Sequence, residues 1–319
     1  MAVSCALATS NDSHEHARVA EQLGYSRAWF YDSPALYPDV WVQLCRAAER
    51  TSRIGLGPAV LVPSLRHPMT NAAAIATLVS LAGAERTWVA IGSGFTGRLT
   101  LGQRPLSWTY VERYVRTLQA LLRGEQTEWD GAPIRMLQPA GFGVPRPVDV
   151  RFLIGAAGPK GLKVARELGD GVMGTVPVAG FAHSALLTMG TVLDDGESPG
   201  SARAMAAAGH GAAVGLHWAM EFAGLDTLPN GAAWAAAYDD VPARERHLAL
   251  HEGHLIEVND RDRPFVTGEL LAKRGLALDG AAWRERLAGF AASGVTEVAY
   301  QPAGPDIPGE LERFIRAVS

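Results

Sequence analysis

Short apolar runs and amphipathic stretches alternate along most of the chain. Residues 3–8, 27–31, 54–62, 87–91, 150–154 and 171–174 are mainly apolar, and each is followed closely by a turn-forming residue. Such short runs without a polar side read as strands buried on both faces. Between them, apolar positions recur at helical spacing: Ala17, Ala20 and Leu23, after a capping Ser13 and before a stop at Gly24, and then within 40–50, 69–81 and 110–122. Helices between buried strands imply parallel pairing with right-handed crossovers. The Ala- and Gly-rich stretch 203–218 is expected to hold a seventh strand and 296–300 the last one, with helices at 281–293 and 309–318 on either side of it. Eight alternations in 319 residues predict an α/β fold, a closed (β/α)8 TIM barrel with insertion loops at its C-terminal face, as one domain over residues 1–319.

Two segments interrupt the alternation. Residues 95–108 form a polar loop with Arg98, Arg104 and Trp108, placed after the fourth strand and so at the face where barrel enzymes build their sites. Residues 128–136 read as a small hairpin turning at Asp130-Gly131. Farther on, 176–280 offers few secure elements, and 225–230 reads as a lid.

A turn between the fifth and sixth strands carries the clearest chemical signal. Phe152, Leu153 and Ile154 run into Gly155-Ala156-Ala157-Gly158-Pro159-Lys160, after which Leu162, Ala165 and Leu168 recur at helical spacing. Pro159 suits the first position of a helix, and the glycines let the backbone approach a ligand. A helix N-terminus presents free amides and the positive end of the dipole, so with Lys160 beside it the turn suits a phosphate. The same glycines equally suit a plain βα turn that packs helix closely on strand.

Composition removes several classes. Hydrophobic residues are 48% and charged residues 19%, the balance of a globular protein with a large core. The net charge is −4 and no Lys/Arg block stands out, so nucleic-acid binding has no support. Cys5 and Cys45 lack metal-ligand spacing and read as buried free thiols. The apolar start has no basic residues before it and meets Asn11-Asp12-Ser13 too soon for a signal segment, and no span resembles a membrane helix. A cytoplasmic protein is expected.

Candidate chemistry lies at strand ends and in one histidine run. Asp32 ends the second strand, where its carboxylate is expected to face the top of the barrel or to cap the next helix. Gly92-Ser93-Gly94 offers amides and a hydroxyl after the fourth strand. His67, in Arg66-His67-Pro68, is a candidate acid, ligand contact or helix cap. His247, His251 and His254, with Glu252 among them, are expected on one helical face. The His-Glu-Gly-His pattern is one residue short of the zincin arrangement, so no metal is expected there and the face reads as pocket lining with a proton-transfer histidine. Pro58-Ala59-Val60, after Gly55 and Gly57, implies a bulge or a backbone bent to support a flat ligand.

Taken together, these segments resemble the bacterial luciferase-like superfamily of flavin-dependent monooxygenases and coenzyme F420-dependent oxidoreductases, methylenetetrahydromethanopterin reductase included. The resemblance rests on Leu23-Gly24-Tyr25 with Trp29-Phe30-Tyr31-Asp32, and on Ile54-Gly55-Leu56-Gly57-Pro58 with Arg66-His67-Pro68. Val89-Ala90-Ile91-Gly92-Ser93-Gly94 and Ile154-Gly155-Ala156-Ala157-Gly158-Pro159-Lys160 with Gly169-Asp170-Gly171-Val172 complete it. It implies that Gly155, Ala156, Ala157, Gly158, Pro159 and Lys160, with Gly174 and Thr175 on the next strand, cradle the cofactor phosphate. It also implies that Gly92, Ser93 and Gly94 touch the ribityl chain. A non-prolyl cis peptide behind the ring is implied at Pro58-Ala59 or Ala59-Val60. Asp32 matches a residue near the ring, although several members carry His next and this chain has Ser33. Hydride transfer on coenzyme F420 with a small organic substrate is the expected activity, with Arg98 and Arg104 toward the acidic tail of the cofactor. The alternatives are an FMN monooxygenase served by a separate flavin reductase, a metal-dependent barrel hydrolase, and a cofactor carrier without catalysis. The family also implies a homodimer. Asp32, His67, His251 and His254 are the candidate proton-transfer groups.

Overall fold

The computed structural model describes residues 1–228 and 230–319. Eight parallel strands follow one another around a ring: β1 (Ala2–Leu7), β2 (Arg27–Phe30), β3 (Gly55–Pro58), β4 (Trp88–Gly92), β5 (Arg151–Gly155), β6 (Gly171–Gly174), β7 (Ser184–Met189) and β8 (Glu297–Gln301). The hydrogen-bonded order is β3-β2-β1-β8-β7-β6-β5-β4. Parallel bridges Leu56↔Thr87 and Leu61↔Ile91 join the two ends, so the sheet nearly closes into the expected barrel.

Helices surround it: α1 (Ser13–Gln22), α2 (Val40–Arg50), α3 (Pro68–Ala82), α4 (Phe95–Leu99), α5 (Trp108–Arg123), α6 (Pro159–Leu168) and α7 (Ala202–Trp218), with Gly280–Ala292 and Ile307–Val318 later in the chain. Their ends follow local chemistry. Asp39 accepts hydrogen bonds from the Trp41 and Val42 amides at the start of α2, and Ser107 accepts from the Tyr110 amide at the start of α5. Val111, Tyr114, Val115, Leu118 and Leu122 form the buried stripe of α5, which stops at Gly124 with φ +83°. Ser13 opens α1 without capping it; its Oγ accepts from the Ser10 amide instead.

Strand side chains divide by parity. Ala6, Trp29, Ala90, Leu153, Met173, Ala185 and Ala299 cluster inside the barrel. Leu7, Phe30, Val89, Ile154, Val172 and Val298 pack outward beneath the helices. The small inward alanines leave room for Trp29 and Trp88, whose rings meet edge to face with centroids 6.5 Å apart. At the N-terminal end of the barrel the buried Glu297 carboxylate accepts from Arg27, from Trp29 Nε1 at 2.8 Å and from His183 Nε2 at 2.8 Å.

Four expectations change. Residues 203–218 hold no strand: they lie within α7, and the seventh strand is Ser184–Met189. The crossover from β6 to β7 carries no helix, which breaks the alternation a sequence reader counts on, and α7 is buried on nearly all sides by small residues and so shows no apolar stripe. The 95–108 segment is a helix, α4, followed by a loop that ends where Trp108 opens α5. In the 225–230 segment Leu225–Thr227 is a 3-10 turn, while residue 229 lies outside the described residues. Cys45 is only half-buried, whereas Cys5 is fully buried. The expected hairpin does form, as Thr127–Trp129 and Ala132–Ile134 joined by Asp130 (φ 51°) and Gly131 (φ 82°). Among the described residues no helix is long and apolar enough to cross a membrane.

Candidate functional site

The C-terminal ends of β3, β4 and β5 meet around Val60. The Ala59-Val60 peptide is cis, at one of the two positions expected. A Cβ on Gly92 would lie 2.8 Å from Val60 Cγ2, and one on Gly155 would lie 2.7 Å from Val60 Cγ1, so only glycine allows these three strand ends to meet. Gly94 has φ +80°, and its Cβ would fall 2.4 Å from Val62 Cγ1. Ser93 holds the following loop in place by accepting from the Leu106 amide at 2.8 Å.

The neighbouring turn separates packing glycines from a different kind. Gly161 is needed for packing, since a Cβ there would lie 2.4 Å from Trp108 Cζ2. Gly158 is not: its φ is −87°, and a Cβ would have nothing within 4 Å. It stands at the N-cap of α6, whose first turn has no side-chain cap, and residues 157–160 are exposed. The result is an uncapped helix N-terminus opening to solvent beside the Val60 shelf. On the next strand Gly174 is buried and Thr175 exposed.

Two candidates are committed elsewhere. Asp32 is buried and takes both hydrogen bonds of Arg66 Nη1, at 2.7 and 2.9 Å, with a third from the Val62 amide at 3.3 Å. Burial pushes its carboxyl upward, while the Arg66 guanidinium opposes that. Asp32 therefore ties β2 to the segment after β3, with both carboxylate oxygens already engaged. His67 is exposed and caps α3, its Nδ1 accepting from the Met69 amide at 3.1 Å. His67→Ala is expected to lower stability by about 1 kcal/mol in denaturant unfolding and to leave flavin or deazaflavin affinity unchanged. A parallel loss of affinity would return His67 to the site.

The histidine run does come to the mouth, but not on one helix. The helix over Arg246–Leu250 stops there, and Gly253 and Leu255 both take φ +66°. His247 instead lies over Gly102, 3.1 Å from where a Cβ would stand. His254 and Leu255 are tied across the barrel mouth: Tyr37 Oη donates to the His254 carbonyl and Gln301 Nε2 to the Leu255 carbonyl, both at 2.7 Å. Gln301 in turn accepts from Tyr31 Oη at 2.8 Å.

His217 of α7 and Asp262, neither singled out from sequence, complete the cluster. Asp262 accepts from Trp234 Nε1, Tyr238 Oη and His217 Nε2, each at 2.7 Å. His217 Nδ1 then faces His254 Nδ1 at 2.9 Å, and His254 Nε2 faces Thr96 Oγ1 at a long 3.5 Å. His251, only 3% exposed, packs its ring 5.7 Å from His217 and 4.9 Å from His254, and among the described residues neither of its ring nitrogens has a partner. Burial pushes the His251 imidazole down to about 4 and lowers His254 as well, so both are neutral near pH 7. One sequence signal existed: His210 and His217 stand seven apart on α7, and both are buried. Asp262 was hidden in Asn259-Asp260-Arg261-Asp262-Arg263, which reads as a solvated charge run.

A profile of the luciferase-like monooxygenase family matches residues 6–187, more than half of the chain. The chain belongs to this family. Among luciferase-like relatives, a 5,10-methylenetetrahydromethanopterin reductase of Archaeoglobus fulgidus is 31% identical over 162 residues, 50% of this chain and 47% of the relative. An F420-dependent glucose-6-phosphate dehydrogenase of Beutenbergia cavernae is 33% identical over 178 residues, 49% of this chain and 50% of the relative. The matched region thus spans about half the length of these relatives. The solved coenzyme F420-dependent tetrahydromethanopterin reductase of Methanopyrus kandleri superposes with a TM-score of 0.65 at 20% identity, covering 99% of this chain and 98% of that one, which shows the shared fold. Nothing in these comparisons supports the metal-dependent hydrolase.

Proposed function

We propose that this luciferase-like protein is an oxidoreductase that holds coenzyme F420 across the C-terminal mouth of its barrel and transfers a hydride to or from a small organic substrate. The observation that carries the reading is the open N-terminus of α6. Gly158 has neither a positive φ nor a close neighbour, so the fold does not require glycine there, yet the position leaves an uncapped set of amides clear. A phosphate fits that cradle: the Lys160 and Gly161 amides and the helix dipole supply what it needs.

Both F420 and FMN present a phosphate, so the acidic tail of the deazaflavin decides between them. Arg98 donates to the Arg104 carbonyl and to Ser64 Oγ, both at 2.6 Å. Neither Arg98 nor Arg104 pairs with a carboxylate among the described residues, unlike Arg66, Arg113 or Arg123. Arg98 stands in α4 and Arg104 on the loop that follows it, which is held at Ser93 and reaches Trp108 against the first turn of α6. Two uncompensated cations along that path favour an anionic tail and support F420 over FMN.

A bound deazaflavin supplies the hydride chemistry; the chain supplies position and proton control. The α6 amides anchor the phosphate, and Val60, with Gly92 and Gly155 beside it, offers a shelf at the mouth. With Asp32 occupied by Arg66 and His67 by α3, His251 and His254 are the remaining proton-transfer groups, the latter with its Nε2 directed toward Thr96.

Parallel fluorescence titrations of the purified protein with F420 and with FMN test this. F420 is expected to bind more tightly, and Arg104→Glu is expected to weaken F420 roughly tenfold with little change for FMN. Tighter FMN binding, or an Arg104→Glu effect equal for both, would transfer the reading to the oxygen-activating branch.

A further inference from the structure

The three buried histidines at the mouth do more than a proton relay requires. We propose that His217, His251 and His254 form a binding site for one divalent transition-metal ion of the zinc type, with Asp262 as its outer-sphere carboxylate. The proposal goes beyond the cofactor reading and does not depend on it.

One ligand nitrogen from each histidine lies within 4.8 Å of the others, and all three residues are buried. Asp262 accepts from His217 Nε2 at 2.7 Å, which fixes the hydrogen on that nitrogen and leaves the lone pair at Nδ1. A carboxylate that holds a histidine in this tautomer is the usual partner behind a metal-ligating imidazole. The lone pair of His217 Nδ1 then points at His254 Nδ1, 2.9 Å away. Two facing imidazole nitrogens need a hydrogen or a metal ion between them: either a neutral His254 donates its Nδ1–H to His217, or an ion takes both lone pairs.

His251 distinguishes the two. A proton shared by His217 and His254 satisfies that pair and leaves both nitrogens of His251 orphaned at 3% exposure. An ion accepts a nitrogen from His251 as well, and so accounts for an imidazole that is otherwise buried at a cost with nothing to bond. Metal–nitrogen distances of about 2.0–2.1 Å place tetrahedral ligand nitrogens about 3.3 Å apart. The 2.9 Å pair therefore needs to open only slightly, with His251 swinging inward. Neutral imidazole is the soft-to-borderline donor that zinc, cobalt and copper prefer over magnesium or calcium. His251 also lines an open groove with His247, Thr100, Glu252 and Ile256, which provides a route from solvent. Three protein ligands leave a further position for water or for an oxygen atom of a substrate.

The pattern was unreadable from spacing alone. The His-Glu-Gly-His segment supplies two of the ligands, but the third comes from α7, with His217 and His254 37 residues apart.

The test uses full-length protein with no affinity-tag histidines, stripped with a chelator and titrated with Co2+ and then Zn2+. One equivalent of Co2+ is expected to produce the visible bands of a low-coordinate ion, Zn2+ is expected to displace it, and either metal is expected to raise Tm. His251→Ala and His251→Gln, each checked for folding by circular dichroism, are expected to weaken Co2+ binding by more than the ~10–100-fold that even an outer-sphere partner contributes. His247→Ala is expected to leave it unchanged. Absence of stoichiometric Co2+ uptake, or full uptake by a folded His251 variant, would overturn the site. Because the readout is metal uptake, failure of the F420 titration leaves this result interpretable.

Discussion

Gly158→Asp is expected to weaken cofactor binding by at least ~100-fold while making the protein slightly more stable. The backbone at this position, φ −87° and ψ 162°, accommodates any residue, and a Cβ meets nothing within 4 Å. Position 158 is the N-cap of a ten-residue helix that lacks a side-chain cap, and aspartate is among the best N-cap residues. Its carboxylate would accept from the amides of Lys160 or Gly161 and would complement the dipole, for a gain of a few tenths of a kcal/mol. Those are the amides assigned to the phosphate. An anionic ligand would lose charge-assisted hydrogen bonds, each of about 1.5–3 kcal/mol, and would meet a like charge, which gives the expected loss. Thermal melts and cofactor titrations of the same preparation check both halves. A more stable protein that binds as tightly as wild type would show that the phosphate sits elsewhere, and the stability gain separates loss of the site from loss of the fold.

At the opposite end of the barrel, Glu297→Gln is expected to cost about 3–5 kcal/mol with no direct effect on the cofactor mouth. Glu297 is fully buried, and Arg27, which pairs with it, lays its guanidinium 3.8 Å from the centroid of the Trp88 ring. Removing the carboxylate charge leaves Arg27 buried without its counter-ion, and uncompensated buried charge is the expensive outcome. The pH dependence has a definite sign. Burial alone would raise the Glu297 carboxyl, but His183, Arg27 and Trp29 hold it down at about 2, against an ordinary value of 4.5. Its contribution is therefore present above the ordinary value and is lost as pH falls from 4.5 through about 2. That shift corresponds to about 3 kcal/mol, in line with the mutational cost. Denaturant unfolding of wild type and variant at pH 7 and pH 3 measures both. A difference below about 1 kcal/mol at pH 7 would make this cluster no more than a surface-type ion pair.

The two ends of the barrel thus divide the labour. At the N-terminal end the Glu297 and Arg27 charges compensate each other and serve the fold, whereas the C-terminal end carries the open amides of α6 and, among the described residues, the unpartnered nitrogens of His251 and an Arg98 and Arg104 without a carboxylate. Stability resides where buried charges compensate each other, and binding where such partners are missing.

Much of this was legible one segment at a time. Seven of the eight strands, the surrounding helices except α4 and α7, the Asp130-Gly131 hairpin and the turn at Gly158 each depend on the period of apolar residues or on the backbone freedom of a few neighbouring positions. Those properties act over one or two turns of chain, so a local pattern carries them. The barrel followed from repetition of one such unit, strand then helix. Where that repetition lapsed, between β6 and β7, the reading lapsed too and a strand was expected inside α7. Side-chain partnerships are a different matter. Asp32 and Arg66 are 34 residues apart, His217 and Asp262 are 45, and Arg27 and Glu297 are 270. No periodicity links such pairs, because closure of the barrel and the course of the chain over its mouth set their distances. Whether a carboxylate is free or spent, and whether three histidines converge or scatter, was decided only when those distant segments packed together.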